Sequence, residues 1–112
     1  MEFYYHEVHR DVLILHADGE IDSYKVQSFL NQLQRMLEGG ARKLVVDCTQ
    51  IGYVSSVGIT AFIRVYKRMA EHGGHVKLAS VQTPLVRLLE ITKLNQVFET
   101  HPTVDDALRS FQ

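Results

Sequence analysis

The chain has 112 residues, 46% apolar and 22% charged, which suits one compact domain over residues 1–112 with enough core to fold without staples. Its 12 bases and 13 acids give a net charge of −1 with no block of like charge, which excludes an electrostatic footprint for direct contact with nucleic acid or an anionic membrane. A single cysteine excludes an internal disulfide, and no basic-apolar leader or run of roughly 20 apolar residues stands in the chain, so a cytoplasmic protein without membrane insertion is expected.

Residues 3–9 are rich in aromatic residues and predict a strand. After the polar break Arg10-Asp11, residues 12–17 predict a second strand, and so short a connection makes the pair an antiparallel hairpin. Asp18 to Ser23 supplies loop residues and a helix start. From Ser23 to Glu38 the apolar residues Val26, Phe29, Leu30, Leu33 and Leu37 fall on one helical face, which Gly39-Gly40 ends. Leu44-Val45-Val46 is a short continuous apolar run, as in a central buried strand; Cys48 beside it reads as a small buried hydrophobe.

Residues 49–58 predict a loop of small and hydroxyl residues. A second amphipathic helix follows through Ile59, Phe62, Ile63, Tyr66 and Met69, with Arg64, Lys67, Arg68 and Glu71 on its outer side. Gly73-Gly74 closes it, and residues 75–80 alternate as a half-buried strand around Val76 and Leu78. Thr83-Pro84 predicts a helix start, with Thr83 as cap, continuing through Leu85, Leu88, Leu89 and Ile91. Val97-Phe98 suggests a short last strand. Thr103 is expected to cap a final helix with Asp105 and Asp106 in its first turn and Val104, Ala107, Leu108 and Phe111 on its apolar face. The fold class is α/β: a mixed β-sheet with a leading antiparallel hairpin and about four packed α-helices.

Several chemistries are absent as motifs. There is no GxxxxGK[ST] phosphate loop, GxGxxG fingerprint, CxxC or HExxH pattern, and the glycines at 52 and 58 have the wrong spacing for a nucleophile elbow. His6 and His9 face opposite ways on a strand, and His72 and His75 flank a turn, so no metal site is expected. Ser55-Ser56, at the expected N-terminus of the second helix, have two readings. A serine there can simply cap the helix. It can also accept phosphate, whose charge the unpaired N–H groups and the dipole tolerate.

The stretch Val46-Asp47-Cys48-Thr49-Gln50-Ile51-Gly52-Tyr53-Val54-Ser55-Ser56-Val57-Gly58-Ile59 resembles the signature of the STAS family, in which anti-sigma-factor antagonists carry an aspartate-led loop ending near Asp-Ser-Ser-Gly-Leu. Gly19-Glu20-Ile21-Asp22 is similar to the family's loop before its first helix, and Gly73-Gly74 to its second turn. Leu89-Glu90-Ile91-Thr92-Lys93-Leu94 followed by Phe98 is similar to its tail. Two positions depart: Ser55 stands where the family has aspartate, and Lys93 where the tail has glycine.

The resemblance implies a STAS fold and a non-enzymatic role without a cofactor. An anti-sigma-factor antagonist binds a kinase-type anti-sigma factor, a serine kinase using ATP, and so releases a sigma factor. Phosphorylation switches it off and a PP2C-type phosphatase restores it. Aligned through Gly58, the acceptor is Ser56, with Ser55 as second candidate; Asp22 matches the aspartate beside the site. The implied partner surface comprises Asp22, Tyr53, Val54, Ser55, Ser56, Val57, Gly58 and Arg64. Tyr53 and Val54 could equally belong to the core; Arg64, Lys67 and Arg68 read first as a solvated helix face, with contact to an acidic partner surface as the other reading. An alternative within the family is a STAS subunit of a lipid-transport ATPase complex or of a stress-signalling assembly.

Overall fold

The computed structural model describes residues 4–18, 23–51 and 56–112. Five strands form one sheet in the order β1-β2-β3-β4-β5, so every strand lies beside its neighbour in sequence. β1 (Tyr4–His9) and β2 (Val12–Asp18) make the antiparallel hairpin; β3 (Lys43–Gln50), β4 (His75–Ala79) and β5 (Glu99–His101) follow in parallel. The crossovers are α1 (Ser23–Glu38), α2 (Ser56–Glu71) and α3 (Thr83–Ile91), the last continued by a 3-10 turn at Leu94–Gln96; α4 (Val104–Ser110) closes the chain. Because successive crossovers step across the sheet in one direction with one hand, they lie on one face.

Strand alternation divides the core accordingly. Leu13, Leu15 and Ala17 of β2, Leu44, Val46 and Cys48 of β3, and Val76 and Leu78 of β4 pack under α1, α2 and α3. The opposite set, Val12, Val45 and Ala79, packs under Ala107 of α4 with Val104, Leu108 and Phe111 around it. Lys77 is on that side too: Nζ lies 2.9 Å from Glu99 Oε2, donates to Ser110 Oγ at 2.6 Å and stands 4.2 Å from the centre of the Phe111 ring. All five apolar residues expected on α1 are buried. Gly40 and Gly73, at φ 105° and 72°, take left-handed backbone as α1 and α2 end. No helix among the described residues is long and apolar enough to cross a membrane.

Four expectations need correction. β3 runs through Gln50 and α2 begins at Ser56, so the expected loop over 49–58 is shorter at both ends; Cys48 is buried and Gln50 pairs with Asp18 beyond a register shift. The buried face of α2 is Gly58, Ala61, Phe62, Val65 and Met69. With the helix turned so that these residues face inward, Ile59 and Ile63 are half-buried at its flank and Tyr66 is exposed, edge-on to Phe98. Gln82 rather than Thr83 occupies the cap position of α3, with Pro84 inside the first turn. The last strand is Glu99–His101, because pairing with Lys77–Ala79 sets its place, while Phe98 fills the core just before it. Thr103 does cap α4, accepting from the Asp106 amide at 3.0 Å.

Candidate functional site

α1 follows β2 and α2 follows β3, and these strands are parallel, so both helices start at the same edge of the sheet. Ser56 is the first residue of α2 and is exposed. Its side chain therefore stands where the first N–H groups of the helix lack intrahelical partners and the dipole favours an anion. One turn on, Thr60 Oγ1 donates to the Ser56 carbonyl at 3.0 Å.

Ser56, Val57, Thr60 and Arg64 of α2 and Val26 of α1 line a groove of about 180 Å3 between the two helices. Ser56, Thr60 and Arg64 are spaced four apart, one turn each, so they form a single stripe along it. Val26 is buried and floors the groove; Val57 is 36% exposed at its rim. Across it, Arg64 Nη2 donates to Gln27 Oε1 of α1 at 3.0 Å. Three residues expected in the partner surface, Ser56, Val57 and Arg64, thus share one groove. Gly58 is buried instead, because two residues on from Ser56 the helix has turned to its inner side. Asp22, Tyr53, Val54 and Ser55 lie outside the described residues.

Behind this groove lies a polar pair that sequence reasoning missed. His16 of β2 and Asp47 of β3 are register partners on the α4 side of the sheet, with Nδ1 2.8 Å from Oδ2. The other carboxylate oxygen of Asp47 accepts from the Thr49 hydroxyl at 2.5 Å and the Thr49 amide at 3.1 Å. Burial pushes the Asp47 carboxyl up, but the bonds from Thr49 and from His16 outweigh it, so the group titrates below the usual carboxylate range. Asp47 so ties down both β2 and the end of β3, four residues before the stretch that leads into Ser56. Thr60 and Gln27 were missed as well. Thr60 was open to the four-residue spacing from Ser56; Gln27 carried no signal, since 37 residues separate it from Arg64.

Among the described residues no group of three or more His, Cys, Asp or Glu side chains could hold a metal ion. The described part of the groove presents two hydroxyls, a cation and apolar walls. It can receive a protein side chain or carry a phosphate. Its described lining residues are Ser56, Val57, Thr60, Arg64 and Val26.

The STAS-domain family model matches residues 6–107. The chain belongs to the STAS-domain family. It is 31% identical over 81 residues, 72% of this chain and 73% of the other, to the anti-sigma-B factor antagonist of Bacillus subtilis (strain 168). The crystal structure of an anti-sigma factor antagonist from Mycobacterium paratuberculosis has a similar STAS fold, with a TM-score of 0.78 at 24% identity over 96% of this chain and 91% of that one. The Bacillus cell fate determinant SpoIIAA, in its phosphorylated form, gives a TM-score of 0.77 at 14% identity, covering 97% of this chain and 99% of that one. These two structures bear on the fold: the mixed sheet with its leading hairpin and four helices is the STAS architecture.

Proposed function

We propose that this STAS protein, with residues 1–112 as one domain, is a cytoplasmic anti-sigma-factor antagonist switched by phosphorylation of Ser56. The observation that carries the reading is the exposure of Ser56 on the first turn of α2, within a family signature and beside Arg64 and Val57 in one groove. The name of its 31% identical relative supports the general role.

In this reading the unphosphorylated protein binds a kinase-type anti-sigma factor through Ser56, Val57 and Arg64, joined by Asp22, Tyr53, Val54 and Ser55. Binding displaces a sigma factor. The kinase then transfers the γ-phosphoryl group of ATP: a bond forms from Ser56 Oγ to phosphorus, the β–γ bridge breaks, ADP leaves and the hydroxyl proton passes to solvent. A PP2C-type phosphatase hydrolyses the ester and restores the hydroxyl. The protein is ligand and substrate, and the catalysis belongs to its partners.

Phosphorylation adds about −1.5 to −2 charge. In the free protein, water and the N-terminus of α2 accommodate it. In a complex it must be desolvated, at a cost of several kcal/mol if it is left unpaired. Each ~1.4 kcal/mol is tenfold in affinity, so one phosphate suffices to release the partner. The test is phosphopeptide mapping after incubation with ATP and extract of the source cells, with Ser55→Ala and Ser56→Ala proteins alongside. A single phosphate lost only in Ser56→Ala is expected. No modification, with the extract active on a control substrate, would transfer the reading to a transporter subunit or a stress-signalling assembly.

A further inference from the structure

Two hydrogen-bond relays cross the seam between α1 and α2. Arg64 Nη2 donates to Gln27 Oε1, and Gln27 Nε2 donates to Asn31 Oδ1 at 3.1 Å. One turn further along α2, Arg68 Nη1 donates to Gln34 Oε1 at 2.8 Å, and Gln34 Nε2 donates to Glu38 Oε1 at 3.3 Å. Each glutamine spends its amide nitrogen four residues on along its own helix, so its oxygen is left for the arginine. The guanidinium groups are held in place by acceptors that carry no charge.

Among the described residues Arg42 likewise meets only carbonyl oxygens, those of Leu37 and Ala41, but other cations of the fold are neutralised. Lys43, Lys77 and Arg109 each meet a carboxylate, on Asp11, Glu99 and Asp106 respectively. Among the described residues no carboxylate pairs with Arg64, Lys67 or Arg68. α1 and α2 together carry five of the chain's 12 Lys and Arg residues, but only two of its 13 Asp and Glu, each the last residue of its helix. At the Ser56 end the seam opens into the groove beside Val57, and Tyr24, 84% exposed, stands in the first turn of α1.

We propose that this seam docks an acidic face of a protein partner, whose carboxylates pair with Arg64 and Arg68 while an apolar side chain enters the groove at Val57. The proposal rests on the anti-sigma-factor reading and names the chemistry of the partner at that same site. Fixed, planar guanidinium groups suit bidentate carboxylate recognition. Arginine with an exposed tyrosine and an apolar rim is the composition of a protein interface. A nucleic acid would call for a broader cationic footprint than a chain of net charge −1 offers here. The arrangement also gives the phosphate a target: a phosphorylated Ser56 would add negative charge at the end of the seam, where the partner's carboxylates arrive.

The test measures binding of each kinase-type anti-sigma factor of the source organism, purified, to wild type, Arg64→Glu/Arg68→Glu, Arg64→Gln/Arg68→Gln and the control Arg87→Glu, across a salt series. A DNA duplex and vesicles containing phosphatidylserine serve as competing probes, and thermal melts report folding. Wild type and Arg87→Glu should bind alike, and charge reversal should weaken binding by about 30-fold or more and flatten the salt dependence. Should the reversed protein not fold, the glutamine pair is read in its place, with loss in the same direction. Binding by wild type that neither double variant changes overturns the seam and leaves the anti-sigma-factor reading standing. No binding by wild type to any of the kinases overturns both. Arginine-dependent binding to DNA or vesicles, tighter than to the kinases, overturns the protein partner.

Discussion

His16 and Asp47 stand side by side on neighbouring parallel strands, 2.8 Å apart and only 16% and 17% exposed at their side chains. Asp47 also binds both the hydroxyl and the amide of Thr49. Replacing it by Asn keeps the shape but removes the charge that these donors meet, and should cost about 1–3 kcal/mol at neutral pH. The folded carboxyl titrates below its ordinary value, so this contribution is fully present above the unfolded carboxyl pKa and is lost as pH falls through the folded one. Urea unfolding of wild type and Asp47→Asn across acid and neutral pH should show a gap that narrows below about pH 4. A gap that is constant with pH would place the cost in packing instead.

Ser56 is exposed, so Ser56→Ala and Ser56→Asp should each leave stability within about 0.5 kcal/mol of wild type. Their binding should diverge. Ser56→Asp is expected to lose at least about tenfold, or ~1.4 kcal/mol, in affinity for the kinase-type partner, and Ser56→Ala to bind persistently. Calorimetric titration of both variants checks this, and full affinity in Ser56→Asp would end the phospho-switch account.

Cys48 is fully buried on β3, and burial, with the Asp47 charge beside it, pushes its thiol up to about 12. The thiolate is the reactive form, so the native protein should resist thiol reagents at mildly alkaline pH and react in full once unfolded in urea. The labelling rate should follow the opening of the fold and change in step with destabilising variants such as Asp47→Asn.

The turn after α2 gives a contrast between adjacent glycines. At Gly73 a Cβ would meet nothing within 4 Å, but φ is 72°, so Gly73→Ala should cost about 1–2 kcal/mol in backbone conformation alone. At Gly74 the new atom would lie 2.9 Å from the Arg42 carbonyl oxygen and 3.2 Å from that of Met69, both backbone. Gly74→Ala should cost about 1–3 kcal/mol by overpacking. Thermal melts of the two variants should respond differently to a second change: truncating Met69, whose methyl also lies 2.9 Å from that position, should relieve part of the strain in Gly74→Ala only.

Local pattern alone determined much of this protein. The spacing of Val26, Phe29, Leu30, Leu33 and Leu37 specified α1 and its buried side, because a helix presents every third or fourth residue to the same neighbour. The two-residue break at Arg10-Asp11 specified the hairpin, and Thr103 with Asp105 and Asp106 specified the start of α4. The hydroxyl at Ser56 was legible because a strand followed by a helix leaves a chain position at the helix N-terminus wherever it packs. What only the tertiary structure decided are relations between residues far apart in sequence. The buried side of α2 kept Phe62 and Met69 from its apolar period but took in Gly58, Ala61 and Val65 in place of Ile59, Ile63 and Tyr66, a rotation that packing on the sheet decides. His16 met Asp47 through the parallel register of β2 and β3, which depends on the crossover between them. Arg64 met Gln27, and Arg68 met Gln34, because two helices on one face of a sheet share a seam. Periodicity along one helix carries no information about which residue of another helix lies across from it.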